Sequence, residues 1–299
     1  MTPAIGVSVV VPFYNRREEV ARCLEAVLAQ QLPAGVTIEV VAVDNGSTDG
    51  TRDLLASYPV RLVECPRRGP AAARNDGIAA ARGPIVALTD SDCVPAADWL
   101  THLLEPFADP AIIAAGGRIE ALSLRRGVAV FFEERRFLNQ EKLFRGSFCY
   151  PPFVATANAA FRRETLMAVG GFDESLRVGE DADLCWRALD RGGSIAYCPR
   201  ALVRHGHRET YRDFFRQAVA YGDGAARVYA RHRQRFGVRR PVDWENIIYL
   251  ARLPLEMALR AVVCQTPYKR RSAFYDALWR TGFTLGRWRG SLRNGVAYF

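Results

Sequence analysis

The chain has 299 residues, 49% hydrophobic and 24% charged, with a mean hydropathy of −0.08. That is the make-up of one large globular domain or two small ones, and it excludes wholesale disorder. The formal charge of +9 is unevenly placed: residues 1–224 hold 26 basic and 28 acidic residues, a net of −2, and residues 225–299 hold 15 basic and four acidic, a net of +11.

Val7–Val11 is a β-branched run ended by Pro12 and reads as a buried strand. Asn15 is placed to cap a helix over about Arg16–Gln31, where Val20, Leu24, Val27 and Leu28 recur at helical spacing. Ile38–Val43 is a second strand ending at Asp44, and Ser47, Thr48 and Asp49 offer caps for a helix to about Ser57. A short strand follows at Val60–Glu64, and Gly69-Pro70 opens an Ala-rich helix to about Ala81, with Pro where the first turn accepts it. Ile85–Thr89 is a fourth strand, with further strand-like stretches near Ile112–Ile119 and Ser194–Tyr197. This alternation predicts βαβ units and a mostly parallel sheet flanked by helices. In such sheets ligands bind beyond the carboxyl ends of the strands. Pro12–Asn15, Asp44–Ser47 and Asp90–Asp92 all follow strands directly, so they are expected on one rim.

Asp90-Ser91-Asp92 sets two carboxylates at i and i+2 after a buried strand, a donor set for a hard divalent cation such as Mg²⁺ or Mn²⁺. The competing reading is a polar strand end, where Asp and Ser are common. Asp44–Asp49 is equally a turn with a helix cap, or an acid at a strand end that accepts from a nucleobase or ribose. Glu180, Asp181 and Asp183 lie at a helix start, where the dipole favours ionised carboxylates; a base toward a hydroxyl and plain capping both fit. His205 and His207 are two of only four histidines, placed to complete a metal site or meet a phosphate. No GxGxxG follows the first strand, and neither GxxxxGK[ST] nor GxSxG occurs. Dinucleotide-dependent dehydrogenases, P-loop NTPases and elbow-type serine hydrolases are therefore disfavoured. The seven cysteines are scattered with no CxxC pair, which argues against a zinc site or disulfide framework and for reduced thiols.

In order and spacing, these segments resemble the family 2 inverting glycosyltransferases of the GT-A fold. The residues that carry the resemblance are Val7-Ser-Val-Val-Val-Pro-Phe-Tyr-Asn15, Val43-Asp-Asn-Gly-Ser-Thr-Asp-Gly50, Gly69-Pro-Ala-Ala-Ala-Arg-Asn-Asp-Gly77, Leu88-Thr-Asp-Ser-Asp-Cys-Val-Pro95, Thr156-Ala-Asn158 and the run from Gly170 to Arg187. The resemblance implies a GT-A catalytic domain over residues 1–225 and a nucleotide-sugar donor, a UDP-sugar by default. It implies that Pro12, Tyr14 and Asn15 line the nucleotide pocket, that Asp44 meets the base or ribose, and that Arg74 and Asn75 approach the nucleotide and its diphosphate. It places Asp90, with Ser91, near ribose and metal, and makes Asp92 the principal ligand of Mn²⁺ or Mg²⁺. Asn158 would shape the donor-sugar and acceptor site. Asp181 would be the general base and Glu180 a sugar contact. His205 would be a metal or diphosphate contact, with His207 as its fallback. The acceptor implied is a hydroxyl of a glycan or a lipid-linked sugar. The Gln-x-x-Arg-Trp motif of processive members is missing, since the nearest stretch, Arg216–Tyr221, does not match it. Transfer of one or a few sugars is therefore expected.

Residues 226–299 read as a basic, amphipathic helical extension. In Asn246–Cys264, Arg252, Glu256 and Arg260 form one narrow polar stripe and apolar residues cover most of the rest, with Pro254 placed to kink the helix. Trp279-Arg280 and Arg287-Trp-Arg289 suit a lipid headgroup level. An in-plane helix pair on a membrane is expected; packing on the catalytic domain or a homodimer contact is the other use of that face. No apolar run reaches the roughly 18 residues of a transmembrane helix, and the N-terminal residues lack a basic, signal-like start. The expected location is therefore cytoplasmic, peripheral at the membrane. Two other classes compete: a nucleotidyltransferase, whose usual Gly-rich basic loop is replaced here by Pro12–Asn15, and a non-catalytic binder of anionic lipid or nucleic acid using the basic tail. No specific nucleic-acid partner is expected.

Overall fold

The computed structural model describes residues 6–124, 127–146, 151–235, 244–264 and 266–298. Cys149 and most of the basic run at 235–243 lie outside them; the other six cysteines are free thiols. The described residues fall into two compact units, one within 1–122, 138–147 and 151–206, the other within 123–137, 148–150 and 207–299.

The first unit opens with β1 (Val7–Phe13), α1 (Arg17–Leu28), β2 (Ile38–Asp44), α2 (Thr51–Leu55), β3 (Arg61–Glu64), α3 (Pro70–Ala80) and β4 (Ile85–Thr89). After β5 (Cys93–Pro95), α4 (Trp99–Leu104) and β6 (Ile112–Ala121), the chain enters the second unit through α5 (Gly127–Glu134). It returns with α6 (Gln140–Arg145), β7 (Asn158–Arg162), α7 (Arg163–Ala168), α8 (Glu180–Leu189) and β8 (Ser194–His205). Among the described residues, eight strands form one sheet in the order β3-β2-β1-β4-β7-β6-β8-β5. Parallel pairings join β1 to β2 and β4, β2 to β3, and β6 to β8. β7 runs antiparallel to both β4 and β6, and β5 antiparallel to β8. The architecture is the expected mostly parallel α/β sheet with helices against it.

The β-branched strands supply the core: Val7, Val9, Val10 and Val11 of β1 and Val41, Ala42 and Val43 of β2 are fully or almost fully buried. The Ala-rich composition of α3 has a packing cause. A Cβ on Gly77 would come 2.3 Å from Val10 Cγ1, so only small residues let this helix lie so close to the sheet. Ala71, Ala72 and Ala73 are buried with it, and that close seat carries Arg74 inward to the strand ends.

The second unit is helical, with α5, α9 (Tyr211–His232), α10 (Trp244–Val263) and α11 (Pro267–Asn294). Thr210 and Thr266 cap α9 and α11, each accepting a backbone N–H three residues on. Gly282, Gly286 and Gly290, four residues apart, face α9: a Cβ on Gly286 would sit 2.0 Å from Val219 O, and one on Gly222 of α9 2.0 Å from Phe283 O. The two helices are thus in backbone contact along one glycine ladder. Buried Asp223 of α9 ties the same seam, accepting from Arg227 at 2.9 Å and Arg289 at 3.0 Å. Phe131 and Phe132 of α5, Phe137, Phe214 and Trp279 form an aromatic core, with Trp279 4.2 Å from Phe137 and 5.3 Å from Phe214 between ring centroids. Trp279 is therefore an interior residue, correcting its expected place at a lipid headgroup level; Trp288 is half exposed.

Gly286→Val forces a branched side chain into a carbonyl of α9. It is expected to lower stability by about 3 kcal/mol, read by urea denaturation; an unchanged curve would contradict the backbone contact.

Candidate active site

Three strand ends build one rim. The β1–β2 register sets Phe13 opposite Asp44, and the Asn45 N–H donates to Phe13 O at 2.8 Å. Asn15 has a left-handed backbone (φ 51°), which turns its side chain toward the loop after β2, where Oδ1 accepts from Thr48 N–H at 2.8 Å. Asn15 therefore does not cap α1: the cap position is Arg16, without a side-chain bond. Asp49, rather than Ser47, anchors the start of α2, through the backbone N–H of Thr51 at 3.0 Å. Asp44 is buried and accepts from Ser47 N–H at 3.2 Å. Tyr14 is half exposed, with the Arg68 guanidinium 4.6 Å over its ring, and Pro12 is the partly exposed residue of β1.

Arg74 sits at the centre of this rim. Its side chain is 5% exposed and binds two acids from different segments: Nη2 donates to Asp90 Oδ1 at 2.7 Å and Nη1 to Glu180 Oε1 at 2.9 Å. Burial alone would lower the guanidinium pKa, but Asp90 and Glu180 outweigh it and hold the group above its ordinary value. Arg74, which the resemblance set toward the nucleotide and its diphosphate, is bound in this structure to these two acids. Asn75, beside it, is a clamp: Nδ2 donates to Phe172 O at 2.9 Å and Oδ1 accepts from Phe172 N–H at 2.8 Å. It thereby fixes the Gly170-Gly171 turn ahead of α8.

The three acids in the first turn of α8 differ. Asp183 is fully buried and pairs with Arg187 at 2.8 Å. Glu180 meets Arg74. Asp181 keeps an exposed face, and its Oδ1 accepts from Ala182 N–H at 2.8 Å. The helix start favours ionised acids, yet burial outweighs it: the Glu180 carboxyl is pushed up to about 7, and Asp181 rises above its ordinary value for the same reason.

At the other side of the rim, antiparallel pairing of β5 with β8 sets Cys93 opposite His205, and Gly206 N–H donates to Asp92 O at 2.9 Å. His205 Nε2 lies 3.5 Å from Asp92 Oδ1, and ligand atoms of Asp92, Cys93 and His205 all fall within 4.8 Å of one another. A hard carboxylate oxygen with an imidazole nitrogen fits Mn²⁺ or Mg²⁺ chemistry. Burial raises the Cys93 thiol well above its usual range. Arg16 approaches Asp92 at 3.8 Å. Asp90 is held by Arg74 and is not part of that cluster, and Ser91 is buried between the two acids. His207 belongs to the second unit, where its ring lies 4.6 Å from Phe132 and Nε2 lies 3.5 Å from Glu133.

Asn158 is a correction. It is fully buried; Oδ1 accepts the Trp99 indole N–H at 2.7 Å, and Nδ2 donates to the carbonyls of Arg118 and Ala201, each at 2.9 Å. Every polar atom of its amide is used inside the sheet, so it shapes no sugar site directly. Sequence reading also missed Cys93, Arg16 and Arg68 as neighbours of the site. Adjacency to Asp92 and Asn15 was a signal for the first two, and Arg68 had none.

The model of glycosyl transferase family 2 matches residues 8–170. A pre-mycofactocin glycosyltransferase from Mycobacterium tuberculosis is 33% identical over 233 residues, which is 76% of this chain but only 48% of the relative, so the match spans about half that protein's length. Glycosyltransferase AglE from Haloferax volcanii is 30% identical over 235 residues, covering 76% of this chain and 75% of AglE. Among solved structures, mannosyltransferase PcManGT from Pyrobaculum calidifontis, in complex with GDP-Man and Mn²⁺, superposes with a TM-score of 0.62 at 24% identity, over 98% of this chain and 88% of that one. The chain belongs to glycosyl transferase family 2.

Asn158→Ala removes partners from one indole N–H and two carbonyls. It is expected to cost about 3 kcal/mol of stability while leaving nucleotide binding by the folded protein unchanged. Native stability with lost nucleotide binding would contradict the structural role.

Proposed function

We propose that the chain moves a sugar from a nucleotide-diphosphate donor, a UDP-sugar by default, to a hydroxyl of a glycan or lipid-linked acceptor, in a single inverting displacement that adds one or a few sugars. The observation that carries this reading is that Arg74 binds both Asp90 and Glu180, beside Asp181 in the chain, while Asp92 stands next to His205. Family membership supports a nucleotide-sugar donor, and the GDP-Man and Mn²⁺ bound to PcManGT support a donor of that class together with a divalent ion.

The residues act as follows. Asp181 accepts the proton of the acceptor hydroxyl as its oxygen bonds to the anomeric carbon. The bond from that carbon to the diphosphate oxygen breaks on the opposite face, and the diphosphate leaves with the electron pair. Asp92 and His205 would hold Mn²⁺ or Mg²⁺, which supplies neutralisation of the charge on the departing diphosphate. Arg74, bound to both Glu180 and Asp90, holds the two segments that carry Asp181 and Asp92. Tyr14, Asn15 and Asp44 stand where a base and ribose would lie. A base with a raised pKa must lose its proton to work, so turnover falls as pH drops through a value above the usual Asp range.

A single experiment separates these roles. In thermal melting with UDP, GDP, dTDP and CDP, with and without Mn²⁺, one nucleotide should raise the melting temperature in a metal-dependent way. Asp92→Ala should abolish that shift. Asp181→Asn should keep it while lowering kcat by about 10³-fold. No shift with any nucleotide, or full turnover by Asp181→Asn, would overturn the proposal.

A further inference from the structure

The second unit packs α10 with its polar side inward. Arg260, beside Glu256, donates to Ser272 of α11 at 2.6 Å, and the Arg280 guanidinium of α11 lies 4.1 Å over the Tyr249 ring. At 100° per residue, Tyr249, Leu253, Glu256 and Arg260 share that inner face, and all four are partly shielded. The outer arc carries Val262, Leu255, Ile248 and Leu259, all at least half exposed, with Val262 at 85% and Leu255 at 75%. A surface helix normally buries its apolar stripe and shows its polar one; here the order is reversed over about four turns. α11 adds a second exposed stripe, Leu285, Trp288 and Leu292, at spacings of three and four.

Charge says what covers the α10 face. The cations Arg252, Lys269 and Arg271 are exposed around α10 and the start of α11. Of the four acids in residues 225–299, Asp276 is buried and paired with Arg135 and Arg280, and Glu256 is paired with Arg260, so neither cancels those cations. A broad apolar face edged by exposed cations matches an anionic bilayer, whose acyl region takes the apolar side chains while its headgroups meet the cations. A nucleic acid would use the cations and leave the apolar face wet. No helix among the described residues is long and apolar enough to cross a membrane, which leaves an in-plane pose. We infer that the exposed face of α10 docks the chain on the surface of a membrane containing anionic lipid.

The test is co-sedimentation of the full chain with vesicles of phosphatidylcholine alone or mixed with phosphatidylglycerol, with light scattering for oligomeric state. Mixed vesicles should retain the wild-type chain at least about tenfold better than neutral ones, with the difference falling at high salt. The double variant Leu255→Glu/Val262→Glu changes only exposed side chains; it should lose vesicle binding with an unchanged melting temperature. Equal sedimentation of wild type and variant, or binding to neither vesicle, would overturn the inference. So would a dimer that this variant splits, which gives the face to a second copy, or salt-sensitive RNA binding without vesicle binding. The lipid-composition and salt arms decide the matter on the wild-type chain alone should the variant fail to fold.

Discussion

The Arg74 guanidinium lies almost wholly out of water, bound at 2.7 Å to the acid that follows β4 and at 2.9 Å to the acid that begins α8. A buried charge without partners is costly, and removing one member of such a group leaves the others uncompensated. This single cation therefore ties three distant stretches of chain, the Ala-rich helix, the Asp90 loop and the Glu180 turn, into one arrangement. It depends in turn on something simpler. α3 reaches the strand ends only because Gly77 and three alanines let it lie against Val10 and Val43. Small side chains set the distance, and the distance brings a cation between two carboxylates.

The same constraint orders the acids by role. Glu180 is spent on Arg74, Asp183 on Arg187, and Asp181 between them keeps a face toward solvent while burial raises its pKa. An acid that is partly desolvated and still reachable is suited to take a proton, which is why it is the proposed base. On the far side, sheet register does the comparable task. His205 comes to Asp92 through the pairing of a three-residue strand with the end of β8, so two residues 113 positions apart meet as neighbours.

Much of this was legible in the chain. The four leading strands and the helices between them follow from β-branched runs, turn residues and a Gly-Pro start, and the rim follows from where those runs end. What stayed hidden has physical causes. β7, the five residues NAAFR, holds no β-branched residue and owes its strand state to pairing on both sides. β5 is too short to show a pattern, so the meeting of Asp92 with His205 could not be read from spacing. Asn158 and Asn75 have the residue type of a binding site, but burial and long-range backbone partners turned both to scaffolding. The glycines of α11 act as a contact surface, because what matters there is the missing Cβ and not helix propensity.

The central claim is that Arg74 and Glu180 act as one unit on which the rim depends. A double-mutant cycle with Arg74→Met, Glu180→Gln and the pair, followed by urea denaturation, tests it most directly. The account predicts that the double variant is more stable than the two single losses would add up to, with a coupling of about 2 kcal/mol. Losses that add within about 0.5 kcal/mol would contradict it.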